Sequence, residues 1–180
     1  MKAAAKLTFA ALGCAGLASL VLWWFADPRR GMAWAVSVLR DRFPDVSHLS
    51  PSSLDTWLHD AQRPAPQIVD ARSEEEFAVS HLPGARRMDP ESTASTALAS
   101  LDPERPAVIY CSAGHRASTL ARRLQSAGRH DLWNLEGGIF AWANAGLPLE
   151  CAGQPVQRVH PYLRIFSRLL KRQKGDSSPP

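Results

Sequence analysis

The most chemically informative segment is Tyr110-Cys111-Ser112-Ala113-Gly114-His115-Arg116-Ala117, a thiol directly after an apolar run and then a short loop that opens an amphipathic helical pattern. Successive backbone N–H groups of such a loop form an anion-binding nest, and the positive end of the helix dipole adds to it. Both favour negative charge on the Cys111 sulfur, and the thiolate, not the thiol, is the reactive nucleophile. Gly114 allows a tight turn, and Arg116 offers an oxyanion its fork of donors. His115 brings to the same cradle the side-chain type that ordinarily changes charge near neutral pH. The other thiols, Cys14 and Cys151, stand apart from it, and no CxxC or Cys/His cluster suggests a disulfide framework or a metal site.

A cradle of this kind needs a buried strand before it and a packed helix after it. Short apolar runs at 67–69, 107–110 and 132–135, bounded by turn residues, suit buried parallel strands. Between the last two, Ala117, Leu120, Ala121, Leu124 and Ala127 recur at helical spacing, with Arg122 and Arg123 on the other face and Gly128 placed to end the helix. Strands alternating with helices predict an α/β domain, whose reactive groups gather beyond the carboxyl ends of the strands. Asp70 and Cys111 each follow a predicted strand. Ser50 and Pro51 read as a helix cap and first helical position, and residues 31–46 suit a short helix stopped before Pro44.

The loop stands in the chain with three further motifs: Ile68-Val69-Asp70-Ala71-Arg72, Glu76-Phe77-Ala78-Val79-Ser80-His81-Leu82-Pro83-Gly84-Ala85, and Leu135-Glu136-Gly137-Gly138-Ile139-Phe140-Ala141-Trp142 continuing to Pro148. In this order they resemble the rhodanese family over residues 47–150. The resemblance implies a small parallel sheet flanked by helices and transfer of sulfane sulfur through a cysteine persulfide. It makes Cys111 the sulfur carrier and Ser112, Ala113, Gly114, His115 and Arg116 the substrate cradle. The donor would be thiosulfate or a persulfide, the acceptor a thiol or cyanide, with no metal or organic cofactor. Asp70 and Arg72 match the family's Asp-x-Arg pattern and are expected to shape the site as an ion pair behind the cradle. His81, Gly137, Gly138 and Trp142 are expected to serve turns and packing, and Cys151 to be an inert thiol. Ser80 departs from the family, which more often has Gly there. Two other readings compete: a cysteine phosphatase or arsenate reductase on the same fold, and a non-enzymatic membrane-tethered binding module. Cys111 counts against the second, because a purely binding domain needs no nucleophile.

The flanks have a different character. Residues 47–150 hold nine Arg against thirteen acidic residues, net −4, so of the chain's +4 the flanks carry +8. A basic charge lying outside the folded module argues against nucleic acid as partner and for an anionic surface such as lipid headgroups. Residues 7–26 form an apolar run broken only by Thr8 and Ser19, followed by Asp27, Pro28, Arg29 and Arg30, and are expected to be a single transmembrane anchor. The run is long for a signal-peptide core, and no small-x-small cleavage site follows it. The expected organisation is an anchor at 1–26, a juxtamembrane connector at 27–46, the catalytic domain at 47–150, and a basic amphipathic helix with a tail at 151–180.

Overall fold

The computed structural model describes residues 27–162 and 169–170. The expected anchor at 7–26 lies outside them, as does most of the basic C-terminal stripe. No helix among the described residues is long and apolar enough to cross a membrane.

Asp27 opens helix α1 (Pro28–Arg42) by accepting the Arg29 N–H at 2.9 Å, with Pro28 at the first helical position. The helix therefore starts three residues before the 31–46 expected from the sequence. Strand β1 (Ser47–Leu49) follows, then α2 (Pro51–Leu58) behind its Ser50 cap, β2 (Gln67–Asp70), α3 (Glu74–Val79), β3 (Arg86–Arg87) and α4 (Ala94–Ala99). The chain continues through β4 (Ala107–Tyr110), α5 (His115–Ser126), β5 (Leu132–Leu135) and α6 (Gly138–Asn144) to a hairpin of β6 (Leu149–Cys151) and β7 (Gln154–Val156).

The first five strands pair in parallel in the order β1-β5-β4-β2-β3. Parallel neighbours cannot be joined by tight turns, so the helices cross over and cover both faces. Alternation along β4 shows the two layers. Ala107 and Ile109 face Leu39 and Phe43 of α1 and Leu120 and Leu124 of α5. Val108 and Tyr110 face Leu54 and Trp57 of α2 and Ile139, Phe140 and Trp142 of α6. Leu120 and Leu124 are fully buried, each contributing about 2 kcal/mol of apolar burial.

The expected strands are the three central ones, with β2 one residue longer than predicted and ending on Asp70. Helix α5 begins at His115, two residues before the predicted start. The segment expected as a connector packs on the domain, with Met32, Leu39 and Phe43 in its two core layers. The β6–β7 hairpin straddles residue 150, the expected domain end.

Candidate active site

Cys111 follows β4 at the carboxyl edge of the sheet, where Asp70 pairs in register with Tyr110. The chain turns out of the strand at Gly114, whose φ of 110° lies in the region that L side chains rarely adopt. Its N–H donates to Cys111 Sγ at 3.1 Å. An added Cβ there would press on Leu39 Cδ1 at 3.1 Å and Asn134 Nδ2 at 3.3 Å, so α1 and β5 both back the loop. The first N–H groups of α5 have no intrahelical acceptor and leave donors beside the cradle.

Helix α6 is tied to the same loop. Ile139 N–H donates to Cys111 O at 2.9 Å and Phe140 N–H to Ser112 O at 3.2 Å. Gly138 makes this approach feasible, since a Cβ on it would collide with the Cys111 carbonyl oxygen. Beside the buried thiol lies a cavity of about 230 Å³ lined by Cys111, Ser112, Ala113, His115, Arg116, Phe140 and Tyr162. Every cradle residue expected from the sequence other than Gly114 lines it, and Gly114 holds the sulfur from beneath.

Glu76, quoted within a motif but given no role by sequence reasoning, organises the cradle. Ser73 caps α3 in a capping box with Glu76, a pairing legible in the spacing Ser73-Glu74-Glu75-Glu76. That this same carboxylate also reaches Ser112 and Arg116 was not legible. Glu76 Oε1 accepts Ser112 Oγ–H at 2.7 Å and Arg116 Nη2 at 2.9 Å, and Oε2 accepts Arg116 Nη1 at 2.7 Å and Ser73 N–H at 3.1 Å. Burial works to raise the Glu76 carboxyl, but the bonds from Arg116, Ser112 and Ser73 outweigh it and hold it at about 2. Burial likewise opposes the charge on Arg116, yet the bond to Glu76 and the nearby Cys111 sulfur push it above its ordinary value. The fork expected to face an oxyanion thus bonds Glu76 and Ser112 Oγ, the latter at 2.8 Å. Its Cζ lies over the Tyr162 ring, 4.6 Å from the centroid.

Asp70 and Arg72 form a fully buried pair behind this layer. Arg72 Nη2 donates to Asp70 Oδ2 at 2.6 Å and to Ser80 O at 2.5 Å, and Nε donates to Asp70 Oδ1 at 2.9 Å. The pair clamps the end of α3, which carries Glu76. Burial works against the Arg72 charge, but Asp70 outweighs it and raises the group. Tyr110 beside them is raised well above its ordinary value by burial and then by the Asp70 charge, and its oxygen accepts Leu82 N–H at 3.1 Å. Ser80 is extended (φ −172°, ψ 156°), so this position makes no demand for Gly.

His81 stacks on Phe77 at 3.9 Å between centroids and its Nδ1 donates to Phe77 O at 3.0 Å, a packing role. His115 is exposed at the cavity, edge-on to Phe43 at 5.6 Å. Trp142 is buried with Nε1–H on Pro148 O at 2.8 Å. Cys151 donates to Ala78 O at 3.0 Å on the hairpin.

The model of the Rhodanese-like domain family matches residues 50–145. The chain belongs to the rhodanese-like family. The thiosulfate sulfurtransferase GlpE of Pseudomonas aeruginosa is 34% identical over 76 residues, covering 42% of this chain and 68% of that protein. A sulfurtransferase of Allochromatium vinosum is 32% identical over 104 residues, 58% of this chain and 94% of the other. The probable adenylyltransferase/sulfurtransferase MoeZ of Mycobacterium tuberculosis is 34% identical over 57% of this chain, which spans only 26% of that protein's length. Among solved structures, a Rhodanese-like domain from an Anabaena species superposes with a TM-score of 0.53 at 27% identity, covering 63% of this chain and 87% of that one. A Rhodanese-like domain protein from Staphylococcus aureus gives 0.51 at 29% identity, covering 60% of this chain and 100% of the other. The rhodanese-like fold, a parallel sheet flanked by helices, follows from these findings, and proteins named sulfurtransferase are among the relatives the chain is similar to. The family match ends before Tyr162, so that wall of the cavity belongs to the chain's own C-terminal segment.

Proposed function

We propose that the protein moves sulfane sulfur from thiosulfate or a persulfide donor to a thiol or cyanide acceptor through a persulfide on Cys111. The observation that carries this reading is the Gly114 N–H on Cys111 Sγ at 3.1 Å, at the wall of a cavity large enough for a small donor. In the first half-reaction the Cys111 thiolate attacks the outer sulfur of thiosulfate, the S–S bond breaks, and sulfite leaves with the bonding electron pair. The negative persulfide terminus then lies among the N–H groups of the loop, which stabilise it where charge develops. In the second, cyanide or a thiolate attacks that outer sulfur, departs as thiocyanate or a new persulfide, and restores the Cys111 thiolate. Ser112, Ala113, His115 and Arg116 border the donor, while Glu76 fixes the loop through Ser112 and Arg116. No step calls for a metal or an organic cofactor.

We further propose that residues 7–26 anchor the domain in a membrane as a single span, supported by the length and apolar character of that run and by the basic flanks. Mass spectrometry after thiosulfate exposure tests the persulfide: about 32 Da is added to the peptide containing Cys111 and is absent from Cys111→Ser. Mass appearing on Cys151, or surviving in the variant, overturns the assignment.

A further inference from the structure

Tyr162 stands beyond the family match, yet its ring lines the Cys111 cavity. It is one of two non-glycine residues with positive φ among the described residues, at 62°, a conformation that aromatic side chains rarely adopt. The chain is fixed on both sides of it. Before it, Val159 is buried in the core layer that contains Phe140. Tyr162 N–H donates to His160 Nδ1 at 3.1 Å. After it, Leu169 packs against that same layer, and its carbonyl accepts Asn144 Nδ2 at 2.6 Å. An outlying backbone conformation held by such contacts marks a position where the side chain matters.

The ring changes what the cavity offers a ligand. Three N–H groups of the Arg116 guanidinium are taken by Glu76 and Ser112, and its Cζ lies over the Tyr162 ring at 4.6 Å. The side chain most able to grip a bare inorganic anion thus has most of its donors engaged. What remains beside Cys111 is largely apolar, with Phe140, Tyr162 and Ala113 in the lining and His115 exposed at its border. A volume of about 230 Å³ holds a short hydrocarbon or aryl group as well as the reacting sulfur. Such a group gains contact with the rings that thiosulfate does not.

We infer that Tyr162 is a specificity-determining residue of the Cys111 site, selecting sulfur donors that carry an apolar group beside the transferred sulfur over the bare inorganic anion. The selection rests on the sulfur-transfer reading above. The aromatic wall does not. With an aryl thiosulfonate, the Cys111 thiolate attacks the terminal sulfur, the S–S bond breaks, and the aryl sulfinate leaves with the electron pair, giving the same persulfide as thiosulfate.

The test uses the full chain in detergent, as wild type, Tyr162→Ala and Tyr162→Phe. Tyr162 is 46% exposed, so neither change threatens the fold. In the first arm, kcat/KM is measured for benzenethiosulfonate and for thiosulfate with cyanide as acceptor. The ratio of the two falls about tenfold in Tyr162→Ala and is kept in Tyr162→Phe. The second arm needs no turnover: alkylation of Cys111 by N-phenyliodoacetamide and by iodoacetate is followed by peptide mass spectrometry. The preference for the phenyl reagent drops by a similar factor in Tyr162→Ala alone. If the wild type transfers sulfur and either ratio is unchanged in Tyr162→Ala, the proposal is overturned. If the wild type transfers none from either donor, the sulfur-transfer reading fails, and the alkylation ratio alone decides whether Tyr162 is a selective wall.

Discussion

The carboxylate of Glu76 and the guanidinium of Arg116, forty residues apart in the chain, meet through bonds of 2.7 and 2.9 Å and lock the end of the cradle to helix α3. Arg116 therefore helps to position the loop that holds Cys111, besides lining the cavity beside the sulfur. Removing it strands a carboxylate that is only 2% exposed. Arg116→Ala is expected to lower stability by about 3 kcal/mol in urea denaturation, within the range for breaking buried pairs. Lys at the same position recovers little, because a point charge does not bridge both carboxylate oxygens and Ser112. An unchanged midpoint in Arg116→Ala would count against the clamp.

The same pair predicts an acid limb of stability. Glu76 is held at about 2 in the folded protein against an ordinary value of 4.5, a depressed carboxylate. Its contribution, of the order of 3 kcal/mol, is complete above about pH 5 and disappears as pH falls toward 2, where the folded form also binds the proton. Melting temperature measured from pH 6 to pH 2.5 should fall steeply in the wild type and less steeply in Glu76→Gln. Parallel curves would remove Glu76 as the source.

Gly138 couples packing to the Cys111 loop. Its missing Cβ is what lets α6 donate Ile139 N–H to Cys111 O. Gly138→Ala is expected to lose most sulfurtransfer and to cost more than about 2 kcal/mol, through backbone displacement and a left-handed φ of 53°. Thermal melting beside the thiosulfate and cyanide assay checks both losses, and wild-type values for both would show that α6 does not hold the loop.

Loop length discriminates between sulfur and phosphate chemistry. From Cys111 to Arg116 there are six positions, whereas the family resemblance implies seven in phosphatase relatives. The smaller ring of N–H groups suits one sulfur close to the thiolate, and a tetrahedral oxyanion needs the wider one. Wild type should turn over thiosulfate and not an aryl phosphate, and one Gly inserted between Gly114 and His115 should depress sulfurtransfer. Cys111-dependent phosphate hydrolysis exceeding sulfurtransfer would reverse the assignment.

Carbonate extraction tests the anchor. The full chain should stay in the membrane pellet, while a chain starting at Ala33 should be released. Release of the intact chain would disprove the span at 7–26.

Cys111, its loop and the central strands were legible in the sequence because each is a local signal. A run of apolar residues ends at a thiol, a Gly follows where the turn needs it, and a helical period begins at once. Asp70 and Arg72 were legible as a pair through the resemblance, whose Asp-x-Arg pattern they match. Glu76 received no role from the sequence, where Glu74, Glu75 and Glu76 are chemically alike and only the Ser73-x-x-Glu76 spacing marks the last as a capping partner. Only the placement of α3 against the loop turns the last of them toward Ser112 and Arg116. The edge strands β1 and β3 are three and two residues long, too short for any period to show, and exist because the neighbouring strands present unpaired backbone groups. Helix α1 read as a connector because its contacts, Leu39 against Gly114 and Met32 and Phe43 in the core layers, are made with residues distant in the chain. Tyr162 was legible only as one of the apolar residues expected in the basic C-terminal helix, whereas its φ of 62° places it outside a helix. Its place over Arg116 depends on where the hairpin and Val159 direct the C-terminal segment, a consequence of packing between remote parts of the chain that no local pattern encodes.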